Sequence, residues 1–480
     1  MIVIQNYING QHIAPTQNQY FDNIEPATAT PFSTCPDSDS EDIKLAITAA
    51  KSAFSSWSRL SIEERSQWLM RIADGIAARL EEFALAESMD NGKPLRLATQ
   101  VDIPRAVSNF KFFAHAITQF HGESYPMTNV GINYTLRQPL GVVACISPWN
   151  LPLYLLSWKI APALVSGNTV VAKPSEVTPY TAYLLSKVCE EIGLPAGVLN
   201  IVHGFGSKVG DTLCTHPDVK AISFTGGTAT GKTIATAAAP LFKKLSLEMG
   251  GKNPNIIFAD CNYDDMLRTT LLSSFSNQGQ ICLCGSRIYI ERSLYERFKT
   301  DFVHKASELK VGDPLAESTK IGATVSKAHY EKILHHIEIA KQEGANILVG
   351  GHAVRLSGRC ESGYFIAPTI IENLAIDCRT NQEEIFGPVV TITPFDTEEE
   401  VLAFANGTKY GLAASLWTEN LTRAHRMAEH IESGIVWVNS WMVRDLRTPF
   451  GGVKDSGVGR EGGMEALGFF TEYKNVFIKY

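Results

Sequence analysis

From residue 140 to about 225 the chain alternates short apolar, β-branched runs with segments that are in most cases of helix length. The runs are 141–146, 169–173, 198–202 and 219–224, and strand-like runs resume at 255–258. A strand that is apolar at successive positions needs cover on both faces, and a helical crossover supplies that cover while returning the chain in parallel. The rhythm therefore dictates βαβ units and a parallel sheet. Strand-like runs recur at 287–290, 389–392 and 415–417 with helix-length segments between most of them. A second α/β body is thus expected after a boundary near Gly250-Gly251, and 480 residues exceed one ordinary core. No internal repeat or low-complexity segment interrupts the chain.

The first 35 residues read as short strands, with Asn9-Gly10 as a hairpin turn. Residues 40–121 are largely helical. Ser40, followed by Glu41 and Asp42, is expected to cap one helix, Ser61 and Glu64 form a capping box for a second, and Pro104 opens a third. The net charge of −7 has its basic residues dispersed, which argues against a nucleic-acid surface. Nine cysteines without a paired framework suit a reducing cytoplasm. The N-terminus lacks the basic-then-apolar pattern of a signal peptide. The apolar run 151–165 is broken by Pro152, Lys159 and Pro162, so no membrane span and no membrane partner are expected.

Two stretches compete for the chemistry. Ser276 to Arg287 sets Cys282 among small and polar residues rather than bulky apolar ones, with Gly279 and Gly285 leaving room for a substrate; Cys284 is its rival. Gly226-Gly227-Thr228-Ala229-Thr230-Gly231-Lys232-Thr233 fits a phosphate-loop pattern at every position, and 256–260 could serve as the metal strand of a nucleotide hydrolase. Glycine-rich backbone at a helix N-terminus holds a dinucleotide pyrophosphate equally well, so this turn alone does not separate ATP from NAD. Glu248 stands ahead of Gly250-Gly251, Asn150 follows the strand 141–146 between two prolines, and Lys173 and Glu176 end the next strand. Sites in open α/β sheets gather at such carboxyl ends.

Taken together these motifs resemble the aldehyde dehydrogenase superfamily over nearly the whole chain. The cysteine motif matches 277–282, the glutamate motif 247–252, and a late family motif 449–454. The resemblance implies Cys282 as nucleophile, Glu248 as base for hydrolysis, and Asn150 in the oxyanion hole. It implies NAD as cofactor, with Trp149, Lys173, Glu176, Gly226, Gly227, Glu384 and Phe386 binding it, and no metal. Gly227 departs from the serine common in the family. The implied fold is α/β: a Rossmann-like NAD-binding domain over 1–120 and 139–250, a catalytic domain over 251–449, and a small β arm over 121–138 and 465–480. Such arms join subunits, implying a homodimer or homotetramer. A further reading, a binding or structural member of this fold that has lost activity, is opposed by the intact Cys282, Glu248 and Asn150.

The segments 102–106 and 441–450 resemble the branch acting on hydroxy- or aminomuconate semialdehydes. Those substrates carry a carboxylate remote from the aldehyde. A guanidinium binds a carboxylate through paired hydrogen bonds, which makes Arg105 and Arg444 candidate anchors beside Phe450. The competing expectation is an internal ion pair, for instance with Asp445, and it weighs more for Arg447.

Overall fold

The computed structural model describes residues 1–480. Its first large sheet has eight strands, in the order Gly457–Val458, Lys244–Glu248, Val219–Thr225, Val142–Ile146, Thr169–Lys173, Leu199–Ile201, Asn6–Ile8 and Gln11–Ile13. The five central strands run parallel. Antiparallel strands close both edges. Strand Val142–Ile146 lies between Thr169–Lys173 and Val219–Thr225, so the winding direction reverses beside it. Loops leaving the carboxyl ends of two strands at such a reversal diverge to opposite faces and leave a crevice.

The second sheet takes over directly. Lys244–Glu248 belongs to the first sheet, and Asn253–Ile257 lies within the second, a seven-stranded sheet with Gly285–Glu291 and Ala413–Trp417 as its neighbours. A separate three-stranded antiparallel sheet pairs Thr471–Lys479 with Gly131–Pro139 and that strand with Ser124–Met127. Its terminal strand begins at Thr471; the preceding helix Gly463–Phe469 buries Ala466 and Leu467 in the core of the first body.

Local chemistry explains most element ends. Asn9 and Gly10, at φ 53° and 77°, make the left-handed pair that a two-residue hairpin requires. The first long helix, Ser40–Trp57, is capped by Asp39 and not by Ser40, because Asp39 accepts from Glu41 while Asp42 reaches back to the Asp39 N–H. Ser61 and Glu64 cap each other as expected. Pro104 does not start its helix from coil. The chain is already helical at Leu95 and passes through a π turn at Ala98–Asp102 before Ile103–Ala116. A widened turn is one way to accommodate a proline that has no N–H to give to the turn before it.

Helix Pro152–Val165 is buried along its whole length. Its all-round hydrophobicity is that of a helix sandwiched between layers. It packs into a 43-residue cluster with the helices Ile62–Ala77 and Ile103–Ala116. No helix is long and apolar enough to cross a membrane.

Candidate active site

A cleft opens where the winding reverses. Its walls come from the loops that leave the two strands flanking the reversal, Pro148-Trp149-Asn150 and Thr225-Gly226-Gly227. Met249, Gly250 and Glu384 add a further wall, and Cys282 also lines it.

The turn bearing Cys282 is held in an uncommon backbone state. Asn277, Gln278 and Gly279 follow one another in the left-handed region, at φ 50°, 56° and 70°. Side-chain amides bind this turn to its surroundings: Asn277 donates to the Asn150 carbonyl (2.9 Å), and Gln278 donates to Ala323 O (2.9 Å). Gln280 accepts from the Val325 N–H at 3.0 Å. Gly279 touches the segment 384–388 so closely that a Cβ would overlap the Gly387 carbonyl. Asn253 then holds the carbonyls of both Cys282 (2.7 Å) and Cys284 (2.9 Å). Cys284 is buried among Ile281, Leu283, Leu412 and Trp437, whereas Cys282 is only partly covered and opens on the cleft.

Burial pushes the Cys282 thiol up, and the nearby Glu384 and Glu248 carboxylates add to it. Glu248 ends strand Lys244–Glu248, and neither of its oxygens has a partner. Burial first and Glu461 second raise its pKa well above the ordinary carboxylate range. Such a carboxyl is poised to take up and release a proton. Glu461 is paired with Lys159 at 2.5 Å and accepts from the Ser223 hydroxyl at 3.1 Å. The Asn150 amide gives one N–H to Gln280 O at 2.9 Å, leaving its second donor for the cleft that it lines. The Cys282 N–H makes no bond within the chain.

Elsewhere along the cleft, Trp149, His329 and Phe386 form an aromatic corner, with Trp149 perpendicular to Phe386 at 5.2 Å and tilted on His329 at 4.9 Å. His329 bonds the Phe386 carbonyl at 2.7 Å. Burial holds its pKa down at about 4, so the ring is neutral. Glu384 accepts the Gly251 N–H at 2.9 Å, and Gly250 gives it room. Gly227 caps helix Thr228–Ala238, and a Cβ on it would meet open space. Lys173 and Glu176 pair at 2.6 Å at the end of Thr169–Lys173 and do not line the cleft. The phosphate-loop expectation for 226–233 fails. Lys232 turns to Asp455 at 2.9 Å, Thr233 bonds Ala229 O, and Asp260 in the other body is held by Thr418 and Arg423.

On the far side of Cys282 a second, narrow cavity is lined by Tyr154, Glu248, Met442, Arg444 and Phe450. Arg444 donates to the Tyr154 hydroxyl at 3.1 Å and lies 3.9 Å over the Phe450 ring. Arg105 stands over the same Tyr154 at 5.4 Å, with its buried Nε and Nη2 unpartnered. Asp445 is engaged by Arg447 and compensates neither. Two guanidinium groups without a carboxylate thus share Tyr154, and Arg444 reaches the cavity that Cys282 lines. The loop bearing Arg444 is fixed by Trp437 Nε1 to Val443 O and Trp441 Nε1 to Leu283 O, both at 2.8 Å.

Sequence reasoning passed over Lys159, Glu461 and His329. Lys159 left a trace, since it is the one charge in a wholly buried apolar helix. Glu461 and His329 left none.

Comparison with known proteins agrees with this geometry. The family model described as "Aldehyde dehydrogenase family" matches residues 12–476. The 2-aminomuconic semialdehyde dehydrogenase of Bos taurus is 48% identical over 100% of this chain and 99% of its own length. The 2-hydroxymuconic semialdehyde dehydrogenase of Pseudomonas sp. (strain CF600) is 45% identical, covering 99% of each. An NAD+ complex of aldehyde dehydrogenase from Bacillus cereus superposes with a TM-score of 0.96 at 39% identity, covering 99% of this chain and 96% of that one. The chain belongs to the aldehyde dehydrogenase family.

Proposed function

We propose that the protein oxidises a semialdehyde bearing a remote carboxylate, of the 2-aminomuconate or 2-hydroxymuconate 6-semialdehyde type, to the corresponding acid. The observation that carries the substrate class is the pair Arg105 and Arg444, half-buried, without carboxylate partners, and gathered on Tyr154 beside the Cys282 cavity. Cationic donors left unpaired away from water are costly unless a ligand anion completes them.

NAD is the cofactor. The cleft suits it: Gly226 and Gly227 open onto the N-terminus of an 11-residue helix where a pyrophosphate is favoured, and the buried hydroxyls of Thr225 and Thr228 lack partners. Trp149, Phe386 and Glu384 would hold the nicotinamide end, and Lys173 with Glu176 the adenosine ribose; the Glu176 carboxylate would repel a 2′-phosphate. When bound, NAD+ supplies the acceptor for one hydride.

The protein's own residues do the rest. Cys282 gives its proton to Glu248, which passes it to solvent, and the sulfur bonds to the aldehyde carbon while Asn150 Nδ2 and the Cys282 N–H receive the oxyanion. Loss of hydride leaves a thioester on Cys282. Glu248 takes a proton from water, the hydroxide adds to the thioester carbon, and the C–S bond breaks to return the thiolate and release the acid. One aldehyde, one NAD+ and one water become one acid and one NADH, with protons released. The arm sheet exposes Tyr125, Leu136, Tyr473, Phe477 and Ile478, which supports its pairing with a second copy in a homodimer or homotetramer. Nine free cysteines suit the cytoplasm.

The substrate assignment is tested with Arg444→Ala. The variant loses most of its kcat/KM for a carboxylated semialdehyde and little for a neutral aldehyde of similar length. Equal losses on both substrates refute the anchor.

A further inference from the structure

Beneath the oxyanion corner lies a group of charges that the reaction scheme does not use. Lys93, Glu87 and Asp102 are all essentially without solvent exposure. Lys93 Nζ lies 2.5 Å from Asp102 Oδ2, 3.1 Å from Glu87 Oε1 and 3.1 Å from the Asn150 carbonyl oxygen. An ammonium has three donors, and here each has one acceptor. The same carbonyl accepts from Asn277 Nδ2 at 2.9 Å and from Asn91 Nδ2 at 3.4 Å, and Asn91 also holds the Trp149 carbonyl at 2.9 Å. The backbone oxygen of Asn150 therefore receives one charged and two neutral donors, while its side chain points its amide at Gln280 O.

Burying three charges is a poor way to stabilise a core, since apolar residues of equal volume do as well or better. What the arrangement provides is direction. Residues 147–151 form a short connection between strand Val142–Ile146 and helix Pro152–Val165 and belong to neither element. We propose that Lys93 is a positioning residue that clamps the Asn150 backbone, and with it the oxyanion donor, against the turn carrying Cys282. Asp102 is the last residue of the π turn, so it ties the clamp to the helix that presents Arg105 three residues on. The aldehyde end and the carboxylate end of the substrate site thus share one buried support. The inference rests on the oxyanion role of Asn150 given above.

The test compares Lys93→Met, Lys93→Met/Asp102→Asn and Asn150→Ala in the full-length enzyme with NAD. Two readouts are taken: kcat/KM for a neutral aldehyde, and the rate of Cys282 alkylation by iodoacetamide, a reaction that needs the thiol but no oxyanion donor. A displaced donor lowers kcat/KM by about 10²-fold in both Lys93 variants while alkylation stays near wild type. The double variant removes one of the two stranded carboxylates, the closer one, and serves where Lys93→Met alone does not fold. Wild-type turnover in a Lys93 variant beside an inactive Asn150→Ala overturns the clamp and leaves the oxyanion role standing. An active Asn150→Ala removes the oxyanion role, and the clamp with it. A parallel fall of turnover and alkylation assigns Lys93 to the fold alone and also overturns the proposal.

Discussion

Replacing Arg105 with Met moves stability and activity in opposite directions. Its Nε and Nη2 are buried without partners, and the charge of Arg444 opposes its own. Each stranded donor costs about 1–3 kcal/mol. Against that stand two ring contacts, to Tyr154 at 5.4 Å and Trp158 at 5.9 Å. Such contacts are worth about 0.5–1 kcal/mol apiece at this exposure. Met keeps the aliphatic stem and the contact with both rings, so the ligand-free variant gains on the order of 1 kcal/mol. A charge-assisted hydrogen bond to a substrate carboxylate contributes about 1.5–3 kcal/mol, which corresponds to a loss of about 10- to 150-fold in kcat/KM. Thermal melting of the free enzyme and initial rates of NADH formation with a carboxylated semialdehyde measure the two effects. A lower melting temperature shows that Arg105 is bonded structurally after all, and refutes the reasoning whatever the rate does. A raised melting temperature with unchanged kcat/KM refutes the anchor role alone.

The remaining predictions concern the proton chemistry. Glu248→Gln releases about one equivalent of NADH per site in the first turnover and then slows by about 10²–10⁴-fold, because the thioester waits for water that has lost its base; steady turnover at the wild-type rate removes Glu248 from that role. Both Cys282 and Glu248 have pKa values shifted upward, and both react in their deprotonated forms. Activity therefore climbs as pH rises from neutral into the alkaline range, and a profile that is flat or falling there contradicts the assignment.

Much of the fold was legible in the sequence because the strands are short, apolar and separated by whole helices. Runs 141–146, 169–173 and 219–224 reappear as strands within one or two residues. Local ties were harder. Asp39 and Ser40 are both good caps, and only the answering bond from Asp42 to the Asp39 N–H decides between them. The π turn before Pro104 follows from a missing donor whose consequence depends on the residues ahead of it. Local motifs and the family they resemble brought out Cys282, Glu248 and Asn150, whereas Lys159 and Glu461 meet across 302 residues of sequence. A pattern read within a window carries no information about that meeting. The ion pair with Asp445 was the stronger expectation for Arg447, and it is Arg447 that makes it, while Arg444 bonds the Tyr154 hydroxyl instead.

The backbone contact between Gly279 and Gly387 has a bearing on how enzymes of this shape can be altered. It joins the nucleophile turn to the segment bearing Glu384 and Phe386 without a side chain to yield between them, and a Cβ on Gly387 would in turn strike Ile333. The two stretches, a hundred residues apart in sequence, behave as one interchangeable cassette. A graft that imports either from a relative while keeping the other inherits a mismatch at a joint with no slack. The cleft wall at Glu384 and Phe386 and the geometry of the Cys282 turn are on this account traits that must be transplanted together.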